Sequence, residues 1–348
     1  MPDPITDLAM QLVDQPIDDV PRFRLLHDVL HEPDASSRVQ EAYTAAMNTP
    51  QVLWLADAQQ ADGSWGRLLQ TSLTEGHHDA LSVVCRTSQA INSTDSALKR
   101  AFSLGMNYRH PVIALAIAYL ERLLSDSAVW PDWNTPTELN DIERRIRVAG
   151  QLRLFDENNP LALHVADRWI QLIMAAFENG AFDELRYRVV FEQIFGQQAA
   201  HDSNLAFSGP ILMLLRGLLP YPFEEAYISH IIEEERGIAG VHHHALHHLP
   251  MDFPSMETTR FLTALDLMAF FPSAGRFLED AKTWLWEQLN PAGRWDLGKT
   301  GYDGVYLPMS SSWRRPFDRK VDSSVRLLLI LQRMQNSCDL RLRLCHLR

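Results

Sequence analysis

The chain has 348 residues, 46% hydrophobic and 22% charged, the balance of a soluble globular protein with one large or two ordinary domains and a sizeable core. Its formal net charge is -12 with no block of five or six like charges, which excludes the electrostatic footprint of a nucleic-acid or membrane-surface binder. Its three cysteines, Cys85, Cys338 and Cys345, form neither a CxxC pair nor an even-numbered framework, which argues against disulfides and thiolate zinc.

Almost every segment reads as helix. Behind Pro21, residues Phe23, Leu26 and Leu30 fall at i, i+3 and i+7, predicting a helix over 21–32; a second follows the Pro33-Asp34 turn over 36–47, with Ser36 or Ser37 as its cap. The same periodicity predicts helices in 77–91, 110–125, 161–178, 209–219, 256–271, 277–289 and 320–334, each bounded by Gly, Pro, Asn or Ser. Alternating runs bounded by hairpin turns are essentially missing, so the fold class expected is all-α. Residues 111–124 and 211–219 are apolar over most of the circumference and should face other helices on more than one side, as in a closed double layer. The opening residues 1–21 are acidic, and no stretch reaches about 18 apolar residues without a charge. No integral membrane segment and a cytoplasmic location are therefore expected.

One local pattern occurs twice. "WLADAQQADGSW" runs from Trp54-Leu55 through Gln59 to Gly63-Ser64-Trp65, and "WLWEQLNPAGRW" runs from Trp284-Leu285 through Gln288 to Gly293-Arg294-Trp295, with the two tryptophans eleven positions apart in both. The glutamine is one position out of register in the second copy. Such a unit makes sense as a clasp, in which the glutamine satisfies orphan groups at a helix end, the glycine permits a sharp exit, and the closing tryptophan folds back over the end.

These residues resemble the glutamine-tryptophan motif of the squalene cyclase and protein prenyltransferase beta-subunit superfamily. In that superfamily helical hairpins of about 50 residues close into a double ring, the α/α toroid, whose cavity holds isoprenoids or other ligands. The resemblance implies a toroid of about six hairpins over 49–335, preceded by a HEAT-like helical lead-in over 1–48 and followed by a tail over 336–348. It implies an enzyme acting on an isoprenoid or similarly apolar small molecule, such as a prenyl diphosphate. The alternative is a non-catalytic toroid that binds a small ligand or a partner protein, since function lives in sites grafted on folds.

The chemistry of class II cyclases needs a DxDD acid, because alkene protonation requires a carboxylic acid kept protonated in a dry pocket; the chain has no DxDD. The dense carboxylates Glu233, Glu234 and Glu235 read as a solvated helix end. The stretch 314–324 resembles the part of prenyltransferases where basic residues precede an Asp-x-Cys zinc pair. Matched on Asp322, which becomes a candidate catalytic residue, this places diphosphate-binding positions on or near Arg315 and Arg319, with Arg314 a candidate substrate contact, but Ser324 stands where the cysteine would be, and serine is a poor zinc ligand. The alternative is that these arginines lead into the last helix and pair with surface carboxylates.

Residues 242–249 hold five histidines. If this segment is helical, His243 and His247 form an i, i+4 pair able to chelate a divalent metal, magnesium or zinc, with Asp252 or Glu257 as completions. His244 is a candidate general base, since imidazole titrates near neutral pH. His77, His78 and Asp79 open another predicted helix and are candidate catalytic residues on the rim of a toroid cavity, with Tyr302 and Trp313 as candidate substrate contacts. Capping by Asp79 is the structural alternative.

Overall fold

The computed structural model describes residues 3–66, 68, 93–130, 138–196, 205–299 and 308–345. Among them the secondary structure is helical, with two isolated β-bridges and no strand. No helix among the described residues is long and apolar enough to cross a membrane. The predicted helix over 77–91 lies outside the described residues. The chain divides into two compact units, one formed by 1–119, 250–259 and 285–332, the other by 120–249, 260–284 and 333–348.

The first unit opens with a helix that periodicity did not single out, α1 (Pro4–Val13). Asp3 caps it by accepting the Ile5 amide at 3.2 Å, and Pro4 sits where a missing N–H costs nothing. Ile5, Ala9, Leu12 and Val13 form its buried face. The predicted 21–32 helix is α2 (Asp19–Arg24), continued by a π-helical turn over Leu25–Val29. The 36–47 helix is α3 (Ser37–Met47), whose N-cap position is Ser36; the Ser36 hydroxyl bonds Glu32 at 3.4 Å instead of an amide of α3.

Then come α4 (Pro50–Asp57), α5 (Thr94–Ser103) and α6 (Pro111–Leu124). The buried Arg24 guanidinium reaches the end of α5, donating to the Phe102 and Ser103 carbonyls at 2.6 and 2.9 Å. The Phe102 carbonyl also accepts the Gly105 amide at 3.0 Å, and the arginine adds charged donors to this helix end.

The two tryptophan turns have the same geometry. The Trp65 indole N–H donates to the Leu55 carbonyl of α4 at 2.8 Å, and the Trp295 indole N–H donates to the Leu285 carbonyl of α13 (Glu279–Glu287) at 2.6 Å. The backbone N–H of Trp65 donates to the Thr94 hydroxyl at 3.0 Å, and that of Trp295 to the Ser324 hydroxyl at 3.2 Å. Within each turn, the Gln60 N–H reaches the Ser64 carbonyl at 2.8 Å, as the Asn290 N–H reaches that of Arg294 at 3.0 Å. All these partners correspond under a shift of 230 residues.

The glutamine does a different task from the one its spacing suggests. The indole, not the amide, satisfies the helix-end carbonyl, while Gln59 Nε2 donates to Gly63 O at 3.0 Å and Val112 O at 2.8 Å, fastening the turn to the start of α6. In the second turn Leu289 occupies the position equivalent to Gln59. Gly63 has φ +93, and a Cβ there would run into the Leu115 carbonyl, so only glycine permits this approach to α6. The second turn lies instead against α1, with Gly293 beside Leu8 and Arg294 bonded to Gln15.

The last helix, α14 (Pro316–Cys345), carries Ser324 in its first turns. The closing tryptophans are almost wholly buried, at 4% and 0% exposure, whereas Trp54 at the head of the first motif is 37% exposed.

The second unit is built from α7 (Glu138–Phe155), α8 (Pro160–Ala176), α9 (Glu184–Phe195), α10 (Gly209–Leu215) and α11 (Tyr221–Glu233), with parts of α6 and α12 (Met256–Met268). Gly150 of α7 lets α10 approach to a distance at which a Cβ would sit 2.9 Å from the Pro210 carbonyl. Arg153 then closes the far end of α10 by donating to the Leu214 and Arg216 carbonyls. Ile211, Leu212, Leu214 and Leu215 are all buried, as expected for a helix apolar all round, while α6 leaves Leu115 at 51% exposure. Asn159 caps α8 by accepting the Leu161 and Ala162 amides at 3.2 Å each, and donates to Glu121 of α6 at 2.7 Å.

Replacing the closing tryptophans by phenylalanine keeps an aromatic ring but removes the indole donor, which leaves the Leu55 carbonyl unpaired, whereas the Leu285 carbonyl keeps the Gln288 amide at 3.2 Å. Trp65→Phe is expected to lower the unfolding free energy by about 1–3 kcal/mol and Trp295→Phe by less than Trp65→Phe, read as falls in the urea midpoint, while Trp54→Phe stays within about 0.5 kcal/mol.

Candidate functional site

Residues 313–324 bring several of the sequence candidates together, and most are engaged internally. Asp322 is fully buried. Its carboxylate accepts the Met309 amide at 3.1 Å, the Ser310 amide at 3.0 Å and the Ser310 hydroxyl. Burial pushes its pKa up to about 7, against the pull of the Ser310 and Met309 donors and the nearby Arg100 charge. The neighbouring hydroxyls act in the same way. Ser323 accepts the Leu297 amide at 3.2 Å, and Ser324, at the position of the family's cysteine, accepts the Trp295 amide and donates to Lys320 O at 2.7 Å.

Arg319 forms a two-pronged pair with Asp296, at 2.7 and 2.9 Å. Burial works to raise the Asp296 pKa, but Arg319 and the Gly298 amide hold it below the ordinary value. The Trp313 indole N–H donates to the Gly298 carbonyl at 3.3 Å. Arg314 and Arg315 are exposed, and Arg315 lies 3.7 Å from Asp318. Trp313, Arg319 and Asp322 thus hold the 296–298 and 308–310 backbone against α14, with Arg314 and Arg315 in solvent. His77, His78, Asp79 and Tyr302 lie outside the described residues.

The histidine-rich stretch 242–249 is a chain of turns and bends rather than a helix. The i, i+4 relation of His243 and His247 therefore does not place them on one helical face, which corrects the geometry expected for a metal pair. Gly237 (φ +64) lies so close to the backbone of His242 and His244 that a side chain there would displace them, and Ile238 and His242 form a β-bridge. His242 is buried at 2% exposure, set edge-on against Phe261 at 5.6 Å between ring centres, with no hydrogen-bond partner for Nε2 among the described residues. His243 and His244 are exposed. His247 stands beside His248 and Glu235 instead of His243, and among the described residues these three form the one group of metal-ligating side chains whose ligand atoms all lie within 4.8 Å.

A concave site lies within the second unit. A cavity of about 390 Å³ is formed where Leu124 and Asp126 at the end of α6 meet Asp141, Ile142 and Arg145 of α7, and Leu161, His164, Val165, Arg168 and Trp169 of α8, with Phe195 of α9 beside them. The α8 residues fall at i, i+3, i+4, i+7 and i+8, one face of the helix. The rings of Trp169 and Phe195 lie 5.1 Å apart between centres, tilted by 41°.

The charges around this cavity are unevenly committed. Arg145 donates to Asp141 at 2.9 Å, to Leu124 O at 3.2 Å, and to both oxygens of Asp126 at 2.7 and 2.9 Å. Hydrogen bonding by Arg145 holds the Asp126 carboxyl below its usual range. Arg144 takes the other oxygen of Asp141. Arg168 is exposed, lies over the Phe195 ring at 4.5 Å, donates to the Ile194 carbonyl, and has no carboxylate partner among the described residues. His164, one turn before it, is also exposed.

Comparison with known proteins yields nothing to set beside this geometry: no protein-family model matches the chain, and neither the curated proteins nor the solved structures contain a match.

None of the cavity residues is among the sequence candidates. Their signal is His164 and Arg168 set four apart beside Leu161, Val165 and Trp169, a polar pair edging an apolar stripe.

Burial of His242, with the charges of His244, His243 and Arg260, lowers its pKa to about 4, below the ordinary 6.5. The unfolded chain therefore takes up this proton first, so the stability contributed by neutral His242 is present above pH 6.5 and lost as pH falls toward 4. The loss amounts to about 3 kcal/mol. Urea unfolding across that window should show the drop in the native protein and a smaller one in His242→Phe.

Proposed function

We propose that the protein binds a small apolar molecule with an anionic head in the cavity of its second unit, the chemical description of a prenyl diphosphate or a similar isoprenoid acid. The observation that carries this reading is the division of labour in the cavity wall. Leu124, Ile142, Leu161, Val165, Trp169 and Phe195 supply apolar surface, and Arg168 is a cation without a carboxylate partner among the described residues. The two nearby carboxylates, Asp126 and Asp141, are neutralised by Arg144 and Arg145, which lessens their repulsion of an anion. The volume falls in the range of small-molecule sites, roughly 300–1,000 Å³.

The doubled tryptophan clasp supports an α/α toroid of the terpenoid cyclase and prenyltransferase kind as the fold class. A non-catalytic role is preferred to turnover because Asp322 and Arg319, which the resemblance would assign to chemistry, already have internal partners. Turnover of an isoprenoid is the second reading, carried by the resemblance of the two turns to the glutamine-tryptophan motif. A cytoplasmic setting belongs to the same proposal, in keeping with three cysteines that form no paired framework.

Calorimetric titration with prenyl diphosphates of several chain lengths, and with the matching alcohols, tests the proposal. Arg168→Ala is expected to weaken diphosphate binding by roughly 10- to 100-fold, as loss of a charge-assisted contact does, and to leave alcohol binding unchanged. Val165→Trp, which fills the cavity, should abolish both. No binding by the native protein, or full affinity in Val165→Trp, overturns the assignment; a new product in the same incubations selects the enzyme reading.

A further inference from the structure

We infer that Glu235, His247 and His248 form a divalent-metal site, selective for zinc-like ions over magnesium. The two sides of one loop make it. Glu235 follows the end of α11, and the two histidines lie on the loop that returns past it. The Glu235 carboxylate lies 3.2 Å from His248 Nε2 through Oε2 and 3.9 Å from His247 Nε2 through Oε1. Tetrahedral bonds of about 2.0–2.1 Å place neighbouring ligand atoms roughly 3.3 Å apart, so small rotations of these exposed side chains complete the shell.

The scaffold that presents them is fixed. The Leu246 N–H donates to the Ile232 carbonyl near the end of α11 at 3.0 Å, and the His248 N–H to the Ala245 carbonyl at 3.1 Å. Ala245 and Leu246 are buried, at 0% and 1% exposure, which anchors the loop directly before the two ligands. Gly237 permits the return of the chain, because a Cβ there would strike the His242 and His244 backbone. A site on an anchored loop loses little conformational freedom when it binds.

The donor set decides the ion. Two neutral imidazoles and one carboxylate suit zinc, nickel, copper or cobalt, whereas magnesium demands oxygen ligands in octahedral order. Three protein ligands leave a fourth position open to water, and the exposure of all three residues turns it to solvent. Glu235 has no lysine or arginine ion-pair partner among the described residues; its ion-pair partners there are the two imidazoles that would share the ion.

Zinc titration of the full metal-free chain by calorimetry, with cobalt(II) absorption as a spectroscopic probe, tests the site. The native protein should take up one ion here and give the intense visible bands of four-coordinate cobalt. His248→Ala and Glu235→Gln should each weaken zinc binding by at least about tenfold, since loss of supporting outer-shell groups alone costs 10–100-fold. His243→Ala should bind as the native protein does. Zinc should raise the melting temperature of the native protein and His243→Ala but not of the two ligand variants, whose metal-free melting temperatures should match the native one. No uptake by the native protein, undiminished affinity in both ligand variants, or loss of binding in His243→Ala overturns the inference.

Discussion

A helix that ends inside a protein leaves carbonyls without partners, and the cost of burying them must be met locally. In this chain the same kind of donor meets that need twice, at Leu55 and, together with the Gln288 amide, at Leu285. An indole N–H ten residues downstream returns to the carbonyl of Leu55 or Leu285, and the backbone N–H of the same tryptophan reaches a hydroxyl twenty-nine residues further on. Each tryptophan thus ties three pieces of chain: the helix it leaves, its own turn, and the helix of Thr94 or Ser324. The rest of the first unit is arranged around these ties, down to Gly63, where a side chain would drive α6 away.

This reading changes the meaning of the residues near the C-terminus. An aspartate two positions before a serine looks like a depleted zinc site when it is matched to a family pattern. In three dimensions Asp322, Ser323 and Ser324 are consecutive acceptors for the backbone amides of 309–310, 297 and 295. Serine at position 324 serves this task directly, since its hydroxyl accepts the tryptophan amide and still donates to a carbonyl one turn back. Candidate ligand chemistry lies elsewhere, in the α7–α8–α9 cavity and in the imidazole pair beside Glu235.

Much of the helical architecture could be read from periodicity, because apolar residues at i, i+3, i+4 and i+7 mark a buried face whatever it packs against. The helices at 111–124, 160–176 and 256–268 agree with their expected spans within a few residues. Helix α1 was hidden by its acidic surroundings, although Asp3, Pro4 and the buried set Ile5, Ala9 and Leu12 carry the start signals. The histidine segment failed for a physical reason: Gly237 and Gly240 take positive φ and turn the chain, so helical spacing has no meaning there. Site residues were less legible than helices because the local spacing of His164 and Arg168 does not show that Arg145 engages the nearby carboxylates, nor does helical spacing show that Glu235 meets His247 and His248.

The account stands or falls on the two indole hydrogen bonds. Solvent exchange of the indole N–H protons, followed by nuclear magnetic resonance of the ¹⁵N-tryptophan-labelled chain, measures them one at a time. The account predicts that the indole protons of Trp65 and Trp295 exchange only when the first unit unfolds, with opening free energies equal to that from urea unfolding, while that of Trp54 exchanges freely. Exchange of Trp65 and Trp295 at the rate of Trp54 would contradict it.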